Sequence, residues 1–285
     1  MKNNIARLLL LILITSLHSG KLFSQAPNPS IILSEMISSI RNIRTIQFSI
    51  VQAERYKGLL NIQVDAVKMQ IHPLKIYISA ESPGNPYEVL WLSGQNNGDA
   101  WVHPGAFPYF TLSLNPEGNT MKLGHHSIFA LNLNYLADLI SDAMKKDGRN
   151  FEKIAQFEGM YDVDGRICYK VVLNYPTFKF NPYIVRKGED LVIIAEKTHV
   201  SEYMIFERNK NISSYTDVKP GETILVPERY ARSIVLFIDK ELKLPLIEMM
   251  YDDQGLYERY EFKKLKLNPN FSDAEFTKEY ASYHF

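Results

Sequence analysis

The chain has 285 residues, 46% of them hydrophobic and 22% charged, and its 32 basic and 32 acidic side chains give a formal net charge of zero. That length fits one or two domains, and the lack of a basic excess argues against nucleic acid as a partner. With a single cysteine, Cys168, no internal disulfide is available, so the fold must rest on a packed core.

The first 26 residues carry a basic start (Lys2, Arg7), an apolar run from Leu8 to Ile14, then small or polar residues. This is the pattern of a secretory signal peptide with cleavage near Ser24 or Ala26, and the run is short for a bilayer span. No cysteine lies near the cleavage region, so the expectation is a free, soluble periplasmic protein without a lipid anchor. From Ser30 to Arg44 the apolar residues Leu33, Met36, Ile37, Ile40 and Ile43 form one helical stripe.

The period then changes to two: Ile46, Phe48, Ile50; Leu60, Ile62, Val64; Val67, Met69, Ile71; Leu74, Ile76, Ile78. The parity shift at Asp65-Ala66 predicts a bulge or turn. Strands over 87–92 and 100–103 flank the turn residues 94–98, and another over 109–114 ends at Asn115-Pro116-Glu117-Gly118. Ser127 is the expected cap of a second amphipathic helix carrying Ile128, Leu131, Leu136, Leu139, Ile140 and Ala143. Strands over 151–161 and 166–173 meet at Asp162-Val163-Asp164-Gly165.

Residues 183–230 break this pattern. Short strands at 183–185 and 223–226 enclose two helical patterns: Leu191, Ile194 and Ala195 follow Glu189-Asp190, and Met204 and Ile205 follow Ser201, a plausible N-cap. This stretch resembles the LysM module, a βααβ domain that binds N-acetylglucosamine-containing glycans such as peptidoglycan and chitin. The resemblance is carried by Val185, Lys187-Gly188-Glu189-Asp190-Leu191, Ile194-Ala195, Val200-Ser201, Ile205, Asn209, Val218-Lys219 with Gly221, and Ile224 with Val226-Pro227. It implies a glycan groove formed by Gly188, Glu189, Asp190 and Leu191 on one side and Asn209, Lys210, Asn211 and Ile212 on the other. Two departures fall on that groove. Glu189-Asp190 stands where the family usually has Asp-Thr, and Lys210 where it usually has Pro.

Strands resume over 233–238, 244–251 and 256–267, joined by Asp239-Lys240-Glu241 and Asp252-Asp253-Gln254-Gly255. A strand on each side of the module would make a hairpin without it, so residues 181–229 read as an insertion at a hairpin tip. The outer domain is then 27–180 plus 230–285. Its helix, curved antiparallel sheet and mid-chain helix, with Leu244-Pro245, Tyr251-Asp252, Gly255, Tyr260-Glu261-Phe262 and Leu267-Asn268-Pro269, resemble the LolA/LolB-type lipoprotein carriers. The closest branch is one of uncharacterised periplasmic domains. The expected class is α+β: an incomplete barrel with two helices, interrupted by the βααβ module. The resemblance implies an apolar cavity for an acyl chain or lipoprotein, with Trp91, Trp101, Phe107, Phe110, Ile128 and Phe129 as candidate lining.

Catalytic motifs are sparse. His72, His103 and the adjacent His125-His126 read as loop or surface histidines, since neighbours on a strand face opposite ways and no ligand spacing follows. The Asp-Gly clusters sit where turns require them, and neither a nucleophile elbow nor a phosphate loop is present. Three functions stand: a non-enzymatic envelope protein binding peptidoglycan and an apolar ligand, without cofactor or metal; an envelope scaffold for another protein; and a peptidoglycan-processing enzyme. A pocket map separates them. An apolar cavity under the helices favours the first, a filled core the second, converging carboxylates in a cleft the third.

Overall fold

The computed structural model describes residues 26–81, 86–118, 121 and 124–285; the expected signal peptide lies, but for its last residue, outside them. Among the described residues eleven strands form one antiparallel sheet. In chain order they are β1 (Thr45–Tyr56), β2 (Leu59–Gln70), β3 (Lys75–Ala80), β4 (Tyr87–Leu92), β5 (Ala100–Pro104), β6 (Leu112–Leu114), β7 (Ala155–Val163), β8 (Arg166–Asn174), then β11 (Ser233–Asp239), β12 (Pro245–Asp252) and β13 (Gly255–Leu267). Their spatial order is β6-β5-β4-β3-β2-β1-β13-β12-β11-β8-β7, so the sheet stays open, with β6 and β7 at its edges. A second, two-stranded sheet pairs β9 (Phe180–Ile184) with β10 (Thr223–Pro227).

Helix α1 (Pro29–Arg41) starts where the Asn28 side chain accepts from the Ser30 and Ile31 amides, with Pro29 in the first turn, where a missing N–H is harmless. It buries Ile32, Leu33, Met36 and Ile40, each such side chain contributing about 1.5–3 kcal/mol when fully removed from water. Helix α2 (Asn134–Asp147) and the single turn α3 (Phe151–Ile154) pack beside it, and all three lie on one face of the sheet within one large core. The chain after β13 covers part of the opposite face, where Phe271 and Phe276 meet Tyr77, Leu90 and Leu92.

Two local expectations are corrected. β2 pairs with β1 without interruption from Thr45↔Gln70 to Tyr56↔Leu59, so there is no bulge at Asp65-Ala66. The parity shift has another cause: Asp65, Val67 and Met69 are buried on one face, whereas Leu60 and Ile62 project from the other, 48% and 69% exposed. The mid-chain helix is also broken. Ser127 makes no side-chain cap; a short 3₁₀ turn covers Ile128–Leu131, and α2 begins only at Asn134, whose amide is taken by the Asn132 side chain. Asn offers the backbone this local alternative and so interrupts an otherwise continuous apolar stripe.

β8 and β11 are direct neighbours, paired from Asn174↔Ser233 to Cys168↔Asp239. The chain between them leaves and returns at one point of the sheet. It contains β9, α4 (Leu191–Thr198), α5 (Glu202–Arg208) and β10, and holds a core of its own around Val185, Leu191, Ile194, Ile205, Ile224 and Val226.

Candidate functional site

Between the concave face of the sheet and the covering residues within 104–118, 121 and 124–139 lies a half-enclosed cavity of about 470 Å³. Strand alternation puts Ile78, Val89, Val102 and Met250 on its sheet wall, and Leu131 and Leu136 close it from the helical side. A volume of that size lies within the range of small-molecule sites.

One part of the wall is polar, because the inward parity of three central strands continues in charged residues. On β1 the series Phe48, Ile50 is followed by Gln52 and Glu54; on β12 Glu248 lies between Leu246 and Met250; on β13 Glu258 and Tyr260 precede Phe262. Glu258 is fully buried and accepts from His125 Nδ1 at 2.7 Å, His126 Nε2 at 3.0 Å and the Tyr230 hydroxyl at 2.8 Å. Burial favours its neutral form, but His126 and His125 outweigh burial and hold the carboxyl well below its ordinary value. The same pairing overcomes the burial of His126 and raises it to about 9. Glu54 accepts from the Tyr260 hydroxyl at 2.6 Å and the His125 amide at 2.7 Å. The close approach requires a glycine before that histidine: a Cβ on Gly124 would fall 2.0 Å from Glu54 Oε2. Glu248 differs. It is 5% exposed, its Oε1 has no hydrogen-bond partner, and burial, with Glu258 nearby, pushes it up to about 8.

Of the expectation of loop or surface histidines, the structure has His125 and His126 in a loop but not on the surface. Both converge on one buried glutamate because they sit in an irregular segment, where the opposite-face rule for strands does not operate. Among the described residues no group of three His, Cys, Asp or Glu is arranged to hold a metal ion. Of the six residues expected around the cavity, Phe107 and Ile128 line it. Trp91 and Phe129 instead pack edge to face, ring centres 4.9 Å apart, on the same side of the sheet. Phe110 is 59% exposed. Trp101 lies on the opposite face with Phe271 and Phe276, since Ala100 and Val102 take the inward parity of β5.

The residues expected to form a groove on the small module are placed unevenly. Glu189 is buried and occupied by Lys197 Nζ at 2.7 Å, the Arg186 amide and the Tyr183 hydroxyl; Lys197 above all lowers it to about 2. Asp190 caps α4 through the Ile193 amide. Leu191 and Ile212 are core. Asn209 is buried and pins α5 to β10: its amide donates to Ile205 and Leu225 carbonyls at 2.7 and 2.9 Å and accepts from the Leu225 amide at 2.8 Å. It pairs with Leu225 as a neighbouring strand's peptide group would. Of the eight residues expected there, Gly188, Lys210 and Asn211 are exposed. Asn209→Ala should accordingly destabilise the module by about 1–3 kcal/mol, through unsatisfied buried groups; urea unfolding followed by near-UV circular dichroism measures it, and an unchanged midpoint would contradict the assignment.

The module also docks on the sheet beside the polar end of the cavity. Ser201 Oγ meets the Tyr257 hydroxyl at 2.7 Å, and the Tyr203 hydroxyl accepts from the Lys57 amide at 2.9 Å. His125 is sandwiched between Tyr203 and Tyr257, ring centres 4.5 and 4.1 Å away. Buried Arg55 joins Asp252 of the outer sheet to Glu207 of α5. Asp252 is thus more than a turn residue.

In sequence, the family model described as "Protein of unknown function (DUF1571)" matches residues 44–190, and that described as "LysM domain" matches 183–227. No protein of curated function matches the sequence. Solved structures similar to the chain include a LolA superfamily protein from Nitrosomonas europaea (11% identity, 90% of this chain and 100% of that one, TM-score 0.35). LprF from Mycobacterium bovis (14%, 86% and 96%, 0.39) and a DUF1329 family protein from Desulfovibrio piger (10%, 88% and 97%, 0.33) are others. Likeness at this level says nothing about what the chain binds.

Proposed function

The chain belongs to the DUF1571 family and carries a LysM domain, and from that premise we propose a non-enzymatic protein of the bacterial cell envelope that holds on to peptidoglycan through the module and takes an apolar ligand into the sheet cavity. Residues 181–229 are the inserted glycan-binding domain and 27–180 with 230–285 the outer domain. The observation that carries this reading is the half-enclosed, largely apolar cavity. Its rim supports it: Phe107 lines the cavity and is 85% exposed, beside Tyr109 and Phe110 at 69% and 59%. Exposed apolar surface continuous with an apolar cavity suits uptake from, or delivery to, an apolar source. A scaffold with no ligand would gain stability by filling that space. No helix among the described residues is long and apolar enough to cross a membrane, and the amino-terminal signal pattern supports export to the periplasm.

Native mass spectrometry of the protein purified from its periplasmic fraction tests the cavity: co-purified lipid is expected, and uniformly ligand-free protein after mild extraction speaks against it. The glycan half is tested by sedimentation with purified peptidoglycan. Lys210 and Asn211 are exposed with the module docked, so changing both to Ala should weaken retention about five- to a hundredfold, at roughly 0.5–1.5 kcal/mol per lost hydrogen bond, and leave thermal stability unchanged. A wild-type protein that never sediments with peptidoglycan would make the module a spacer.

One observation favours a second reading. Glu248 and Glu258 are carboxyls pushed in opposite directions, as the acid and base of a glycan hydrolase must be. Against it, Glu258 is fully buried with both oxygens hydrogen-bonded. Release of soluble fragments from peptidoglycan by the wild type, and not by Glu258→Gln, would establish hydrolysis.

A further inference from the structure

The cavity's polar wall constrains what enters it. Four carboxyl side chains line the cavity: Glu54, Asp65, Glu248 and Glu258. Three are saturated from within. Asp65 accepts from Gln52, Gln63 and the Tyr87 hydroxyl at 2.9, 2.6 and 2.6 Å. Glu54 is held by Tyr260 and the His125 amide, and Glu258 by both histidines and Tyr230. Glu248 alone keeps a buried oxygen, Oε1, without a partner, although a buried polar atom ordinarily finds one. Among the described residues no lysine or arginine lines the cavity, and the cationic candidate, His126, is already engaged by Glu258 and Tyr230.

Resting on the reading of the cavity as an apolar-ligand site, the geometry points to an amphiphile whose head donates hydrogen bonds and carries no negative charge, an amine or a polyol, seated against Glu248 with its hydrocarbon along the apolar wall. An anionic head, carboxylate or phosphate, would bring a further negative charge among four carboxyls, with no lysine or arginine among the described lining residues to meet it, and desolvating it there is costly. A donating head completes the one unsatisfied acceptor. An amine gains more, because its neutral form can take the proton of the Glu248 carboxyl and then pair, as ammonium, with the carboxylate.

Isothermal titration calorimetry of the purified protein at neutral pH, with dodecylamine, the glycerol monoester of dodecanoic acid and dodecanoate below their micelle-forming concentrations, decides it. The amine and the monoester should bind at least about tenfold more tightly than dodecanoate, as one buried hydrogen bond or charge pair implies. Glu248→Met should abolish that preference while keeping hydrocarbon binding, and Glu248→Gln, which can still accept from the head, should retain it for the monoester. Equal or tighter binding of dodecanoate, or a Glu248→Met variant that still discriminates fully, overturns the proposal and leaves the apolar cavity standing. If none of the three binds the wild type, the cavity reading and this proposal fall together.

Discussion

Replacing Glu258 by alanine should lower the unfolding free energy by about 3–5 kcal/mol, the cost of removing one partner from a buried charged cluster. It would leave His125 Nδ1 without its acceptor in the interior, and His126 Nε2 and the Tyr230 hydroxyl with only each other. The loss is a large share of the roughly 5–15 kcal/mol of a folded domain. It should also reach the LysM module, because His125 is clasped between Tyr257 of the sheet and Tyr203 of α5. Glu258→Gln, which keeps one accepting oxygen, should lose less. The pH dependence follows from the same cluster. Glu258 is held below its ordinary value of 4.5, so its stabilisation is complete above that value and is lost as the solution becomes more acidic. His126 is raised from 6.5 to about 9, so the matching contribution is present below 6.5 and fades as pH rises through 9. These are two views of one pair and count once. Urea titrations of wild type and variant from pH 4 to 10 check this; a Glu258→Ala loss below about 1 kcal/mol would mean that the cluster relaxes or hydrates freely.

Much of this architecture is legible in the residues, and the part that is not has a physical reason. Alternation over 45–50 and 67–78, and the Gly188 and Gly221 turns of the module, are local signals that survive folding. The cavity wall was harder to read. Trp101 and Trp91 are both aromatic strand residues, yet one register step separates the outer face from the inner, and which parity faces inward depends on strands far away in sequence. The polar site left a trace: Glu54, Glu248 and Glu258 each occupy a position where the apolar parity of their strand predicts a hydrophobic residue. A charged residue on the buried parity of three strands marks a common polar centre, though the neighbourhood of those strands comes only from the fold. His125 and His126 gave no such trace, because an irregular segment has no period to violate. Asn209 misleads in the other direction: a polar residue beside a proposed groove points inward to complete a strand edge, which only its contacts reveal.

The second large effect concerns Glu248 and has the opposite sign. Replacing it by methionine, close in shape and free of polar atoms, should make the protein more stable above neutral pH. Burial and the nearby Glu258 raise this carboxyl from 4.5 to about 8, so the native state holds a proton that the unfolded chain releases. For an acid raised in the folded state, native stability is intact below the unfolded value of 4.5 and is lost progressively as pH rises through about 8. At roughly 1.4 kcal/mol per pH unit, the alkaline penalty is on the order of 5 kcal/mol, and methionine removes it. The difference between Glu248→Met and wild type should therefore be near zero at pH 4.5, grow through neutrality and level off above pH 8. Charged and polar groups facing Glu248 include Glu258, Tyr260, His126 and Glu54, and none of them changes in the variant, so the alkaline loss belonging to His126 persists in both proteins and cancels from the difference. Paired urea unfolding curves at intervals of one pH unit give this directly. A difference that stays flat with pH would show that Glu248 ionises normally in the folded protein.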